Sequence, residues 1–309
     1  MKARRAIPLL CAALLPLAAC RKKAPAPVTI GSVTLPAAVA SALPIDPREV
    51  SKIVNPKGEP PYTGPSGTIR GVVTATGDAA PDTNEALSKV PAECVQAKEA
   101  YGKLFREGMM RSLADVVVGV TGYAGYVPEE KNAQTVEMNG CSFGTRTLML
   151  TLGQRLDVVS KDNLSYVPSL LGARMPAELV AVAHGSPVEL WPERVGRYEL
   201  TDSMRLFMRA NVLVVKFSTH DVTGLDGHYA VHHVPAGKVK VSALLPATMA
   251  QVEREVELHE GETLDVNFEL PFDAQKWEAS RTGRAVPSAV PSTLPAPSAK
   301  PAPRPSASH

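Results

Sequence analysis

Polar and apolar residues alternate in short runs along the middle of this chain. Thr263-Leu264-Asp265-Val266-Asn267-Phe268-Glu269-Leu270 alternates over its whole length, and so does Lys238-Val239-Lys240-Val241-Ser242. Val252, Val256 and Leu258 oppose Glu253, Glu255, Glu257 and His259 in the same way. A period of two gives each strand one buried and one wet face. Val116-Val117-Val118 and Val212-Leu213-Val214-Val215 have no polar break and suit more central strands. Turn signals fall between the runs at Glu107-Gly108, Asn139-Gly140, Asp226-Gly227, Ala236-Gly237 and Glu260-Gly261. A short helix fits near Ala92 to Tyr101. Many short strands joined by such turns predict an all-β fold, an antiparallel β-sandwich.

The two ends lack this pattern. Residues 21–66 are rich in Pro, Ala and Ser and read as a flexible linker. From about Phe272 the periodicity fades, and after Arg284 the chain is almost entirely Pro, Ala, Ser and occasional cations, a disordered tail over 272–309. At the start, Lys2, Arg4 and Arg5 precede an apolar run of about 11 residues, against roughly 20 needed to span a bilayer. Small residues then lead into Leu17-Ala18-Ala19-Cys20, the layout of a secretory signal. A cysteine directly after Leu-Ala-Ala resembles a bacterial lipobox. The resemblance implies cleavage of residues 1–20, a lipid on Cys20 and anchoring in the cell envelope. Arg21 follows that cysteine in place of Asp, which by the same resemblance implies the outer membrane.

Composition narrows the function classes. The chain has 309 residues, 44 % of them hydrophobic, enough for a sizeable core. Loss of Lys2, Arg4 and Arg5 with the signal moves the formal net charge from +2 to −1. A near-neutral mature chain gives no reason to expect nucleic acid as a partner. Of the four cysteines, Cys11 leaves with the signal and Cys20 takes the lipid. Cys94 and Cys141 remain in an oxidising compartment, where two thiols pair.

Two stretches resemble known families. Thr223-Gly224-Leu225-Asp226-Gly227-His228-Tyr229, then Val231, Val234-Pro235-Ala236-Gly237 and Val239-Lys240-Val241, resembles the carboxypeptidase regulatory-like β-sandwich, a non-catalytic accessory fold. The stretch from Gly67 to Leu270 resembles a periplasmic cupredoxin-like family related to plastocyanin. Its supporting residues are Val116-Val117-Val118, Gly140-Cys141-Ser142-Phe143, Leu152-Gly153-Gln154 with Leu156 and Val158, Asp162, Phe207-Met208-Arg209-Ala210 and Val212 to Val215. The resemblances imply a cupredoxin-like sandwich over 67–215 and a regulatory-like segment over 216–271. Copper-binding members carry a histidine soon after the aspartate, then a cysteine, a histidine three residues on, and a methionine. Here Tyr166 stands at the first histidine, Asp202 at the cysteine and Arg205 at the second histidine, with Met208 alone matching. Type-1 copper needs a thiolate and two imidazoles, so these positions form a degenerate site and no cofactor is expected.

Other candidates weigh less. His228 and His232 share a strand face about 13 Å apart while His233 points away, so they read as solvated strand residues. His184-Gly185-Ser186 reads as a loop, because sequence neighbours seldom have triad geometry. Met109-Met110 reads as gap-filling core or as a turn. An exposed Trp191 or Tyr198 would stack on a sugar, but a packed edge is the blander reading. The sequence therefore predicts a non-catalytic envelope lipoprotein that binds a polysaccharide or protein partner or plays a structural role. Copper handling or electron transfer is the competing reading, and a hydrolase is more distant.

Overall fold

The structure is a computed structural model. It describes residues 44–83, 87, 90–171 and 179–282, together with three strand segments before them. Cys20, the lipobox and the chain beyond 282 lie outside the described residues. The strand segments are β1 (Val28–Ile30) and β2 (Val33–Leu35), which form an antiparallel pair, and β3 (Ala40–Ser41). Helix α1 (Pro47–Val54) follows, then β4 (Ser66–Gly77), α2 (Ala97–Tyr101) and β5 (Val117–Thr121). Next come β6 (Ala133–Asn139), β7 (Ser142–Phe143), β8 (Thr147–Thr151), β9 (Arg155–Ser160) and β10 (Pro168–Leu171). β11 (Val188–Pro192), β12 (Gly196–Asp202), β13 (Arg209–Val215) and β14 (His220–Val222) lead to β15 (His228–Pro235) and β16 (Gly237–Leu245). The described chain ends with β17 (Ala250–Leu258), β18 (Thr263–Asp265), β19 (Phe268–Phe272) and α3 (Ala274–Thr282).

The strands form two sandwiches, each with its own core. In the first, a sheet ordered β10-β12-β13-β8 packs on one ordered β3-β11-β9-β6-β7, and Leu150, Leu156, Val158, Leu200 and Val212 fill the space between. In the second, β14-β5-β16-β17 packs on β15-β4 with β18 and β19, around Ile69, Val73, Phe105, Val241 and Phe268. The all-β sandwich class expected from the alternation is what the chain adopts. Most pairs are antiparallel, but β13 with β8, β6 with β9, and β4 with both β18 and β19 run parallel. Parallel neighbours need a crossover, and β8 supplies one by visiting the opposite sheet between β6 and β9.

The sheets do not follow the expected division into 67–215 and 216–271. β4 pairs with β15 and β19, and β5 pairs with β14 and β16, so both belong to the second sandwich. Alternation says that a strand has a buried face. It does not say which distant strand covers it.

The unbroken apolar runs are explained by a third cluster. Val117, Met149, Leu213, Val215 and Leu244 pack together where the sheet containing β8 and β13 meets the sheet containing β5 and β16. Their sequence neighbours Val118, Leu150, Val212 and Ala243 face the two sandwich cores. These strands are apolar on both faces because both faces are covered.

Several local expectations need correction. The linker expected over 21–66 already holds α1, which starts with Pro47 in its first turn and an Asp46 side chain that accepts from Arg48 N at 2.9 Å. Ile45 and Val54 pack on the first core. The tail expected from 272 includes α3, whose Trp277 packs on the second core. The expected strand from Thr263 to Leu270 is split into β18 and β19. Val266 N bonds Arg70 O at 2.7 Å and Asn267 Oδ1 accepts from Val72 N at 2.8 Å. A Cβ at Gly71 would lie 2.1 Å from Val266 O, so this close approach requires glycine. Of the two readings of Met109 and Met110, core or turn, the structure takes the turn, with both side chains exposed.

Candidate functional site

Three of the four degenerate ligand positions come together at one end of the first sandwich, and Met208 is buried in the same core. Tyr166 is fully buried, and its hydroxyl donates to Asp162 Oδ2 at 2.7 Å and accepts from Cys141 N at 3.1 Å. Burial first, then the Asp162 carboxylate, hold the Tyr166 phenol well above its ordinary pKa. Asp202, also fully buried, accepts from Val167 N at 2.7 Å, Met204 N at 3.0 Å and Arg205 N at 2.7 Å. It therefore caps the loop between β12 and β13. The Arg205 guanidinium stacks over the Tyr166 ring at 4.7 Å and lies 3.7 Å from Asp202 Oδ1. Met208 has no exposed surface. Every polar group here is already engaged with its neighbours, in a tyrosine-plugged knot.

Asp162, which the resemblance singles out, belongs to the same knot. It accepts from Gly140 N at 2.7 Å and Leu164 N at 2.9 Å as well as from Tyr166. Burial opposes its ionisation, yet these bonds hold its carboxyl below the usual pKa. Gly140 and Cys141, at φ 53° and 59°, are the central residues of the turn joining β6 to β7. Two positive φ values make it the turn type that suits a tight hairpin. Cys141 is bonded to Cys94, with Cα atoms 4.8 Å apart, which ties this turn to the segment before α2.

The β15 histidines and the His184-Gly185-Ser186 motif lie on different elements. A bulge in β15 between Val231 and Val234 turns both valines inward and leaves His232 and His233 exposed, with His233 at φ 53°. His184 lies on a loop and contacts Asn163 Oδ1 at 3.2 Å. Tyr198 is buried, its hydroxyl donating to Arg194 O at 2.9 Å, and Trp191 is half-buried beneath the Arg155 guanidinium. Among the described residues no group of three or more His, Cys, Asp or Glu side chains is placed to hold a metal ion. No described helix is long and apolar enough to cross a membrane.

A concave feature lies elsewhere, in a cleft of about 890 Å³ where the two sandwiches meet. The segment before β6 contributes Glu129, Glu130 and Lys131, β14 contributes His220 and Asp221, and the bulge of β15 contributes His232 and His233. The His220 side chain is largely buried, and burial lowers its pKa to about 4, so the ring is neutral near pH 7. Its Nε2 lies 3.2 Å from Thr151 Oγ1, which is 2.7 Å from Glu129 Oε2. Burial raises the pKa of Asp221, against the backbone N–H groups of Ala230 and Val222 that favour its charge. At the rim Arg106 holds Asp115 through two bonds of 2.7 Å. The sequence reading missed this cleft because its residues come from segments far apart in the chain. A partial signal was present in His220-Asp221, two polar residues close to the apolar run that ends at Val215.

No protein-family model matches this chain, and no curated protein matches it significantly. Solved structures of amicyanin are similar over part of it. Amicyanin from Paracoccus versutus (Thiobacillus versutus) is 15 % identical over 29 % of this chain and 85 % of its own length, at a TM-score of 0.25. A reduced mutant of amicyanin is 13 % identical over 32 % of this chain and 98 % of its own, at a TM-score of 0.26.

Proposed function

We propose that this chain is a lipid-anchored, non-catalytic protein of the bacterial cell envelope that binds a partner or ligand through its β-sandwich framework. One observation carries the non-redox part of the reading. The residues at the copper-ligand positions, Tyr166, Asp202 and Arg205, spend their polar atoms on Asp162, on one another and on the backbone. A carboxylate, a guanidinium and a phenol cannot replace a thiolate and two imidazoles, and Met serves only as a weak axial ligand. The Leu-Ala-Ala-Cys sequence supports the anchor, which places the mature chain at a membrane through the lipid on Cys20.

Two measurements test the reading. Protein incubated with copper and then desalted is expected to carry far less than one ion per chain and to lack the intense thiolate-to-copper absorption of a blue site. A stoichiometric blue complex overturns the assignment in favour of electron transfer or copper handling. On phase separation the mature protein is expected in the detergent phase, and Cys20→Ser is expected in the aqueous phase. Equal partitioning of the two removes the lipid anchor.

A further inference from the structure

The cleft between the sandwiches carries hydrogen-bond acceptors that the fold leaves unused. The His220 side chain is 6 % exposed. The Thr151 hydroxyl has one proton, and its shortest bond, 2.7 Å, runs to Glu129 Oε2. His220 Nε2 therefore carries the ring proton and donates to Thr151 Oγ1 at 3.2 Å, a tautomer assigned from the network. Nδ1 is left as a bare acceptor, with no hydrogen bond among the described residues. Among those residues no fully buried side-chain nitrogen or oxygen lacks a partner, so Nδ1 keeps some accessible surface, and His220 lines the cleft.

The charges around it are unbalanced. Glu129, Glu130 and Asp221 line the cleft. Asp221 accepts from the backbone N–H groups of Val222 and Ala230, at 2.8 Å each, and forms no ion pair among the described residues. Glu130 faces His233 Nδ1 at 3.1 Å. Of the cations in the lining, Arg106 is committed to Asp115, which leaves Lys131 against three carboxylates. No Phe, Tyr or Trp is among the residues that line the cleft, so it lacks the broad stacking surface that a sugar ring favours.

We propose that this cleft binds an alkylammonium or guanidinium group, carried either by a free polyamine or by a lysine or arginine of a short peptide. Such groups offer several N–H donors and no acceptor, the complement of carboxylates and a bare imidazole nitrogen. The proposal rests on the binding reading above and names its ligand chemistry.

Calorimetric titration of the detergent-solubilised full chain tests it, with cadaverine as the free amine and acetyl-trilysine amide as the peptide. Trilysine acetylated on every side chain is the neutral control. Saturable binding of at least one cationic probe is expected near neutral pH, and which probe binds separates the two sources. Asp221→Asn and Glu129→Gln are each expected to weaken it by on the order of 10-fold, as for loss of one member of a desolvated charge pair. Glu257→Gln, on the far edge strand β17, is expected to leave it unchanged. Circular dichroism checks each fold. Glu130→Gln, at a side chain 71 % exposed, keeps the test valid if the buried variants do not fold. Absent binding by both cations, equal binding of the acetylated control, or full affinity in the cleft variants overturns the proposal. Negative titrations from a protein that still partitions into detergent through Cys20 remove the cleft assignment alone and leave the envelope reading standing.

Discussion

Tyr166 shows how a single side chain can tie several segments together. Its ring lies in the same core as Met208, its hydroxyl joins Asp162 to the Cys141 backbone, and its face carries Arg205. Tyr166→Phe keeps the ring but strands a buried backbone N–H and removes a donor from Asp162. A loss of about 1–3 kcal/mol is expected in denaturant unfolding. His220 makes a different kind of contribution. Its folded pKa of about 4 lies below the unfolded value of 6.5, so the unfolded chain binds the proton more readily. Its contribution to stability is therefore complete above pH 6.5 and is lost as pH falls toward 4. Between pH 7 and pH 5 the expected loss is about 2 kcal/mol. His220→Gln should remove that slope. Asp221, with a raised pKa, acts in the opposite direction, so the quantity to compare is wild type minus variant in paired denaturant melts.

At the scale of elements, local pattern and tertiary pairing agree in most places. Asp226-Gly227 and Ala236-Gly237 mark turns that flank β15, with both glycines at positive φ, at 72° and 124°. The disagreements arise where a second segment intrudes. The alternation of Thr263 to Leu270 is broken by the bonds of Val266 and Asn267 to β4, and the alternation of β15 is broken by its bulge. The Cys94–Cys141 bond closes a separation of 47 residues and fastens a turn to the segment before α2. Its removal in a Cys94→Ala, Cys141→Ala double variant is expected to cost about 3–4 kcal/mol by loss of the constraint on the unfolded chain. Two titratable thiols in unreduced protein would refute the bond directly.

At the scale of the whole molecule, the sheet of β8 and β13 packs on the sheet of β5 and β16 through Val117, Met149, Leu213, Val215 and Leu244. This junction makes one molecule of two sandwiches and forms the wall above which the cleft opens. Leu213→Ala removes a fully buried side chain at the junction, and the expected cost is about 2–5 kcal/mol. Trp191 lies in the first sandwich and Trp277 packs on the second. The Leu213→Ala shift should therefore appear in the melts of both single-tryptophan proteins, Trp191→Phe and Trp277→Phe. A shift confined to one of them would show that the junction does not couple the two cores.

The sequence by itself determined the strand faces, most turns and the cysteine pair. These are properties of residue type and short-range spacing, and burial on one face is enough to write them into the chain. The tertiary structure decided which strands became neighbours. It carried β4 and β5 past an entire sandwich to join β14 through β19, because their apolar faces are covered only there. It also decided that Tyr166, Asp202 and Arg205 lock together, and that His220, Asp221 and Glu129 share a cleft wall. Hydrogen bonds and charges between residues so far apart in the chain leave no period in the sequence, so only the folded chain brings them into view.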